Sequence, residues 1–246
     1  MKLKVIGSGS SGNCYVLDNG KEALVIECGM SFKKVLQSID YNVARIQGAL
    51  ISHEHGDHAK YVNDFLSAQI SIYTSKGTAN VLKIEKNRQV HVMSELAIYR
   101  IGGFEVKAFK TTHDAAEPYG YLIYHPECGI TLFATDTKGI NYRFNNISNI
   151  MIECNYRLDY LIDNVNDGRI NHVVADRIVK SHMSFDDCLN FLKANDISKV
   201  SKIVLIHLSN DNSNAESFKI AITDTFNKEV VIADKDIDIE FNKTPF

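Results

Sequence analysis

The amino-acid sequence predicts one α/β domain over residues 1–246, and three features carry that reading. Runs of strand-like segments with flanking helical segments occur twice along the chain. Hydrophobic residues make up 45% and prolines number three, so a large core is available and no low-complexity linker divides the chain. Third, the residues best suited to metal chemistry fall where apolar strands run out, the positions from which a rigid sheet presents side chains.

Residues 2–6 alternate toward a first strand. Ser8-Gly9-Ser10-Ser11-Gly12-Asn13 follows as a hydroxyl-rich loop, fit to join two strands or to orient a phosphate. Strands resume at 14–17 and 23–26, 32–39 reads as a short helix, and 48–52 as a buried strand. A helix runs on from His58 to about Ala68, a strand covers 70–73, and Ser75 opens a helix to Leu82. Residues 91–109 alternate with a period of two, broken at Gly102-Gly103, which predicts antiparallel strands. A hairpin over 119–125 and 130–134 turns at Pro126-Glu127-Cys128-Gly129, and 147–154 is a buried strand carrying Glu153 near its end. Residues 173–180 read as a helix. Ser184 then caps a helix over 185–194, with Asp187 at the capping-box position. A strand at 202–206, a helix at 215–226 and strands at 230–233 and 237–241 complete the chain, with no tandem repeat.

The start lacks a signal-peptide apolar run, and no stretch approaches the roughly 18 apolar residues that span a bilayer, so a cytoplasmic protein without membrane contact is expected. The five cysteines form no paired spacing and several lie in apolar runs, which predicts reduced, structural thiols. A formal net charge of −3 gives no global attraction to nucleic acid and by itself neither supports nor excludes a phosphodiester substrate.

The chemistry concentrates in Ile51-Ser52-His53-Glu54-His55-Gly56-Asp57-His58. Alternate side chains of an extended backbone share a face, so His53, His55 and Asp57 can converge, and Gly56 permits a turn that brings in His58. Imidazole with carboxylate suits zinc, manganese or iron. A helical His-Glu-x-x-His site is excluded because the position four after His53 is Asp57. Further candidates leave later strands: His113 after 104–110, Asp136 after 130–134 and His207 after 202–206.

This ordered set, opened by H-x-H-x-D-H, resembles the metallo-β-lactamase superfamily over most of the chain. The resemblance implies a four-layer αββα sandwich of mixed sheets with a two-metal site on one edge. His53, His55 and His113 would hold one ion, Asp57, His58 and His207 the other, and Asp136 would bridge them. Ser8-Gly9-Ser10-Ser11-Gly12-Asn13, Thr111-Thr112-His113-Asp114-Ala115 and Ala134-Thr135-Asp136-Thr137 further resemble the bacterial YycJ (WalJ/VicX) branch, associated with exonuclease activity on DNA. Ser181-His182-Met183-Ser184 is similar to the His-x-Ser/Thr segment of phosphodiesterase members, in which His182 with Glu153 would fit the proton-donating pair. Ser10, Ser11, Asn13, Asn155 and Ser184 are the expected substrate contacts. Two departures stand out: Tyr156 replaces a common histidine, and Glu27 replaces an aspartate in a structural motif, neither expected to touch a ligand.

Two ions about 3.5–4 Å apart can share a hydroxide nucleophile. Asp57 would orient or deprotonate its water, and His182 with Glu153 would protonate the leaving oxygen. The expected function is therefore phosphodiester hydrolysis, with nucleic acid, most specifically DNA, as partner. Thioester hydrolysis of the glyoxalase II kind, or opening of lactones or β-lactams, uses the same motif. The Glu153–His182 pair and the serine-rich loop favour phosphodiesters. A binding module that has lost catalysis is disfavoured by seven intact ligands.

Overall fold

The computed structural model describes residues 1–244. The first half runs β1 (Lys2–Gly7), β2 (Cys14–Asp18), β3 (Ala23–Ile26), α1 (Phe32–Ser38), β4 (Ile46–Leu50), α2 (Gly56–Ala59), α3 (Val62–Ser67), β5 (Ile72–Thr74), α4 (Lys76–Val81) and β6 (Val90–Val92). The second comprises β7 (Ile98–Ile101), β8 (Phe104–Lys110), β9 (Tyr119–His125), β10 (Gly129–Ala134), β11 (Ile147–Glu153), α5 (Leu158–Asn166), α6 (His172–Ser181), α7 (Phe185–Ala194), β12 (Lys202–Ile206), α8 (Ala215–Phe226), β13 (Glu229–Ile232) and β14 (Ile237–Glu240). These strands form two seven-stranded sheets, ordered β14-β1-β2-β3-β4-β5-β6 and β13-β12-β11-β10-β9-β8-β7. Each is mixed: β3-β4-β5-β6 and β10-β11-β12-β13 are parallel and the flanking strands antiparallel.

Alternation along the strands creates the layers. Tyr15, Leu17, Leu24 and Ile26 point between the sheets, where they meet Phe104, Val106, Tyr121, Phe133, Met151 and Val204. Their neighbours Val16, Ala23 and Val25 face outward under Val35, Phe65 and Ala79 of α1, α3 and α4. On the other sheet Leu132, Ile150, Ile152 and Leu205 face outward under Cys188, Leu192 and Phe218 of α7 and α8. Strands buried on both faces read as near-continuous apolar runs, which is why the sequence marks them well. The result is the expected αββα sandwich. All five cysteines are free and buried. Among the described residues no helix is long and apolar enough to cross a membrane.

Several elements differ from expectation. The segment around His91 does not join the antiparallel strands that follow. β6 pairs in parallel with β5, and the chain crosses to the second sheet only before β7. Period-two alternation reports two differently covered faces, not which neighbour a strand takes. The helix expected after His58 starts at Gly56 and divides into α2 and α3. α5 was not anticipated, although Leu158, Leu161, Ile162 and Val165 have helical spacing.

Candidate metal centre

The carboxyl ends of β3, β4, β8, β10, β11 and β12 gather at one edge of the sandwich, tied across the sheets by a Tyr121 hydroxyl donating to Ile51 O at 2.6 Å and Tyr119 N donating to Ser52 O at 3.0 Å. Glu27, Asp136 and His207, each just past a strand end, adopt left-handed φ of 69°, 41° and 52°. Such backbone costs on the order of 1 kcal/mol or more per residue for non-glycine side chains and persists where surrounding structure fixes it. Here it turns three strand exits inward.

The exits bring the expected ligands into adjoining groups. His53, His55 and His113 form one; Asp57, His58, Asp136 and His207 form another; within each, the ligand atoms lie within 4.8 Å of one another. His55 Nδ1 is 3.0 Å from His53 Nε2 and 3.1 Å from His113 Nε2. In the second group His58 Nε2 is 3.2 Å from Asp57 Oδ2 and 3.3 Å from Asp136 Oδ1. His207 Nδ1 lies 3.1 Å from Asp136 Oδ1, and Asp136 Oδ2 is 3.8 Å from His113 Nε2, so the two oxygens of Asp136 face one group each. Asp57 does not share a strand face with His53 and His55; it sits on α2 and faces His58. Gly56 has an ordinary φ, and a Cβ there would meet nothing within 4 Å, so the turn does not require glycine.

The donor set fits divalent metal. Three imidazoles, and two imidazoles with two carboxylates, suit zinc, manganese or iron. Buried His207 Nε2 makes no hydrogen bond among the described residues and stands 3.5 Å from Asp57 Oδ2, an opening between nitrogen and carboxylate that suits a shared metal ion. Outer contacts fix the rings. The His113 Nδ1–H donates to Ser181 O at 2.8 Å, leaving Nε2 to face the group, and Ser52 Oγ is 2.9 Å from His53 Nδ1.

Glu27 corrects an expectation: fully buried, it accepts from Ser52 N at 3.3 Å, and its Oε2 lies 3.6 Å from His58 Nδ1, so the early-strand substitution does touch a ligand. Asn13 is corrected too. It is buried behind the ligands, with Nδ2 3.2 Å from Asp57 Oδ2 and 3.1 Å from His58 Nε2, which makes it a support and not a substrate contact. Ser184 commits its hydroxyl to the α7 cap, accepting from Asp187 N at 3.1 Å and donating to Asp187 Oδ2 at 2.7 Å. Ser10, Ser11 and Asn155 instead line, with His182 and His207, a cleft of about 300 Å³ beside the metal ligands. The Asn155 amide also donates to His207 O at 2.8 Å.

His182 sits on the cleft side with its Nδ1 2.7 Å from Glu153 Oε1, and the same oxygen lies 3.1 Å from His207 Nδ1. Glu153 is fully buried, and its Oε2 accepts from Thr137 N at 2.8 Å and Met183 N at 3.0 Å. One carboxylate therefore joins the Asp136 loop, the His182 loop and His207.

Electrostatics separate the two groups. Burial, with His58 nearby, holds His53 well below the usual imidazole range, and burial lowers His113. Burial opposes the charged form of His58 and His207 as well, but Asp136 and further carboxylates override it, raising His58 well above its range and His207 to about 10. Against burial, the histidines hold Asp57 and Asp136 ionised far below the usual carboxylate range. His182 is raised because Glu153 outweighs its burial.

Two supports carried little signal in the sequence. A Cβ on Gly29 would stand 1.7 Å from Asp57 O, so only glycine lets the 28–29 backbone pass beneath the Asp57–His58 turn. Asn13 N donates to Asp57 O at 2.7 Å and Cys28 N to His58 O at 2.7 Å across that crossing. Glu54, the residue between the first two histidines, accepts from Ala116 N at 2.7 Å and Thr78 Oγ1 at 3.3 Å, anchoring the loop that carries His113.

Comparison with known proteins places this geometry in context. A family described as "Beta-lactamase superfamily domain" matches residues 23–208. The exodeoxyribonuclease WalJ of Streptococcus pneumoniae is 25% identical over 227 residues, covering 86% of this chain and 83% of that protein. The exodeoxyribonuclease YycJ of Bacillus anthracis is 23% identical over 91% of this chain and 88% of its own length. Among solved structures, the metallo-β-lactamase fold protein YhfI from Bacillus subtilis superposes with a TM-score of 0.72 at 17% identity, covering 97% of this chain and 99% of that one.

Proposed function

The chain belongs to the beta-lactamase superfamily, and on that premise we propose that this metal-dependent hydrolase cleaves phosphodiester bonds in nucleic acid, specifically removing nucleotides from DNA ends. The names of the WalJ and YycJ relatives support the reading. The observation that carries it is the His182–Glu153 pair, 2.7 Å apart on the cleft side of the metal ligands.

In this proposal His53, His55 and His113 hold one divalent ion, zinc or manganese, and Asp57, His58 and His207 the other, with Asp136 between them. When bound, the ions lower the pKa of water and offset charge on the phosphate. The protein's own work is positioning and proton transfer. Asp57, ionised and about a quarter exposed, accepts a hydrogen bond from the attacking water and fixes its direction. Glu153 accepts the Nδ1–H of His182 and keeps the ring protonated, so Nε2 delivers a proton to the departing oxygen as the P–O bond breaks. A phosphodiester leaving group is a poor alkoxide without that proton; a thiolate leaves readily without it, so the pair favours phosphodiesters over thioesters. Ser10, Ser11 and Asn155 offer neutral donors along the cleft for substrate oxygens.

The test is a panel of end-labelled single- and double-stranded DNA and RNA with zinc or manganese, beside a thioester control. DNA shortened one nucleotide at a time is the expected result. Thioester turnover with intact nucleic acids overturns the reading. Asp57→Ala is expected to abolish cleavage of bis(p-nitrophenyl) phosphate, and turnover retained with metal bound would remove Asp57 from the chemistry.

A further inference from the structure

Helices α7 and α8 cover the outer face of the second sheet over β10, β11 and β12 but leave β7, β8 and β9 bare toward the end remote from the metal ligands. On this face register aligns Ile98 with Lys107 and Lys107 with Leu122, while Tyr124 lies opposite Ile130. These side chains line a depression of about 310 Å³, and Tyr124 and Ile130 also line a cavity of about 620 Å³ beyond it. The two form one groove. Lys199, Lys228 and Lys243 stand around its larger half. Lys199 Nζ is 2.7 Å from Asn146 Oδ1 and Lys228 Nζ 2.9 Å from Ser198 O, which fixes both ammonium groups with donors to spare. Glu105, already 3.3 Å from Arg100 Nε, is the one acidic side chain lining either half among the described residues. Ser148, only 6% exposed, also lines the larger half.

We propose that single-stranded nucleic acid docks in this groove, with a base over the Tyr124 ring and phosphates along Lys199, Lys228 and Lys243. The inference rests on the nucleic-acid reading of the metal centre and gives it a second contact region. In a chain of formal net charge −3, four lysines including Lys107 gathered around one groove give a local field complementary to a polyanion. Lysines beside an exposed aromatic and aliphatic floor are the pairing used for single strands, because every base has a face to stack and every linkage a charge. A free duplex cannot use that floor, since its bases are stacked inside. The groove starts at the amino end of β10, whose six residues put it about 20 Å from Asp136. It therefore affects how long strands are held and leaves bond cleavage to the metal edge.

The test uses the full-length, metal-loaded protein and a fluorescent single strand of about 20 nucleotides, with anisotropy read in the first seconds after mixing. The double variant Lys199→Glu/Lys228→Glu is expected to weaken binding about tenfold or more and to flatten the log K against log salt slope by about 1.4, the contribution of two phosphates on a single strand. Tyr124→Ala is expected to weaken binding about tenfold at an unchanged salt slope. Both should turn over bis(p-nitrophenyl) phosphate within about twofold of the parent protein, since neither touches the metal edge. Strand binding unchanged in both variants overturns the proposal, as does loss confined to phosphatidylserine vesicles. A parent protein that binds the strand through these residues but cleaves no phosphodiester would instead remove the catalytic reading and leave the groove standing.

Discussion

At the scale of single residues the site depends on carboxylates that face imidazoles from behind. Glu153 touches His182 and His207 through one oxygen, so His182→Ala removes one of these contacts and leaves the other. His182→Ala is expected to keep both metals and lower turnover of a poor-leaving-group diester by about 10²–10⁴-fold. A diester whose leaving group needs no proton should lose much less. Comparable losses on both, accompanied by metal loss, would make His182 structural. Glu27→Gln keeps the shape behind His58 and removes the charge. It should weaken the second ion about 10–100-fold while leaving the fold intact, as read by metal titration and thermal melting. The cluster of candidate ligands was legible in the sequence because three histidines and an aspartate within six positions have few other uses. Asn13 was legible as important but not in its role: a loop rich in serine and glycine looks like a substrate loop until the burial of its last residue is known.

At the scale of elements the candidate ligands stood out because they follow strands, and strands buried on both faces announce themselves. What the sequence could not deliver was neighbour choice and backbone crossing. β6 alternates like β7 and β8, yet its partner is β5, a choice set by the crossover and by which sheet has an open edge. The crossing at Gly29 is a contact between segments 28 positions apart, and a single glycine shortly after a strand has many ordinary explanations. Gly29→Ala is the corresponding prediction. A Cβ at 1.7 Å from a backbone carbonyl cannot be absorbed by a rotamer change, so the 56–58 turn must move with Asp57 and His58. The expected cost is about 3 kcal/mol or more of stability, seen as a lowered Tm, together with loss of the second ion before the first. A variant with parental Tm and metal content would mean that the crossing relaxes without consequence.

At the scale of the whole molecule, the sandwich brings two sheets to one edge and gives the halves of the metal centre different electrostatic surroundings. His53, His55 and His113 lie among other imidazoles, with Asp114 3.3 Å and Asp136 3.8 Å from His113 Nε2, whereas His58 and His207 are packed among Asp57, Asp136, Glu27 and Glu153. In the metal-free protein His53 and His113 are neutral at pH 7, because burial lowers both. The second group holds protons there, because His58 is raised and His207 reaches about 10. Metal competes with protons for the same nitrogens, so binding to the second group must release them and its affinity climbs with pH up to about 10. The sign runs the other way on acidification: protons return first to the groups with raised pKa. Lowering the pH through the interval below about 10 should therefore weaken metal binding at the Asp57–His58–His207 group before binding through His53 and His113 is affected. Metal content measured after equilibration at each pH is expected to fall from two ions to one in that interval. Calorimetry in buffers of different ionisation enthalpy should find proton release with the second ion and little with the first. Loss of both ions at a single pH would show the two groups to be one cooperative unit, with Asp136 coupling them more strongly than their surroundings separate them.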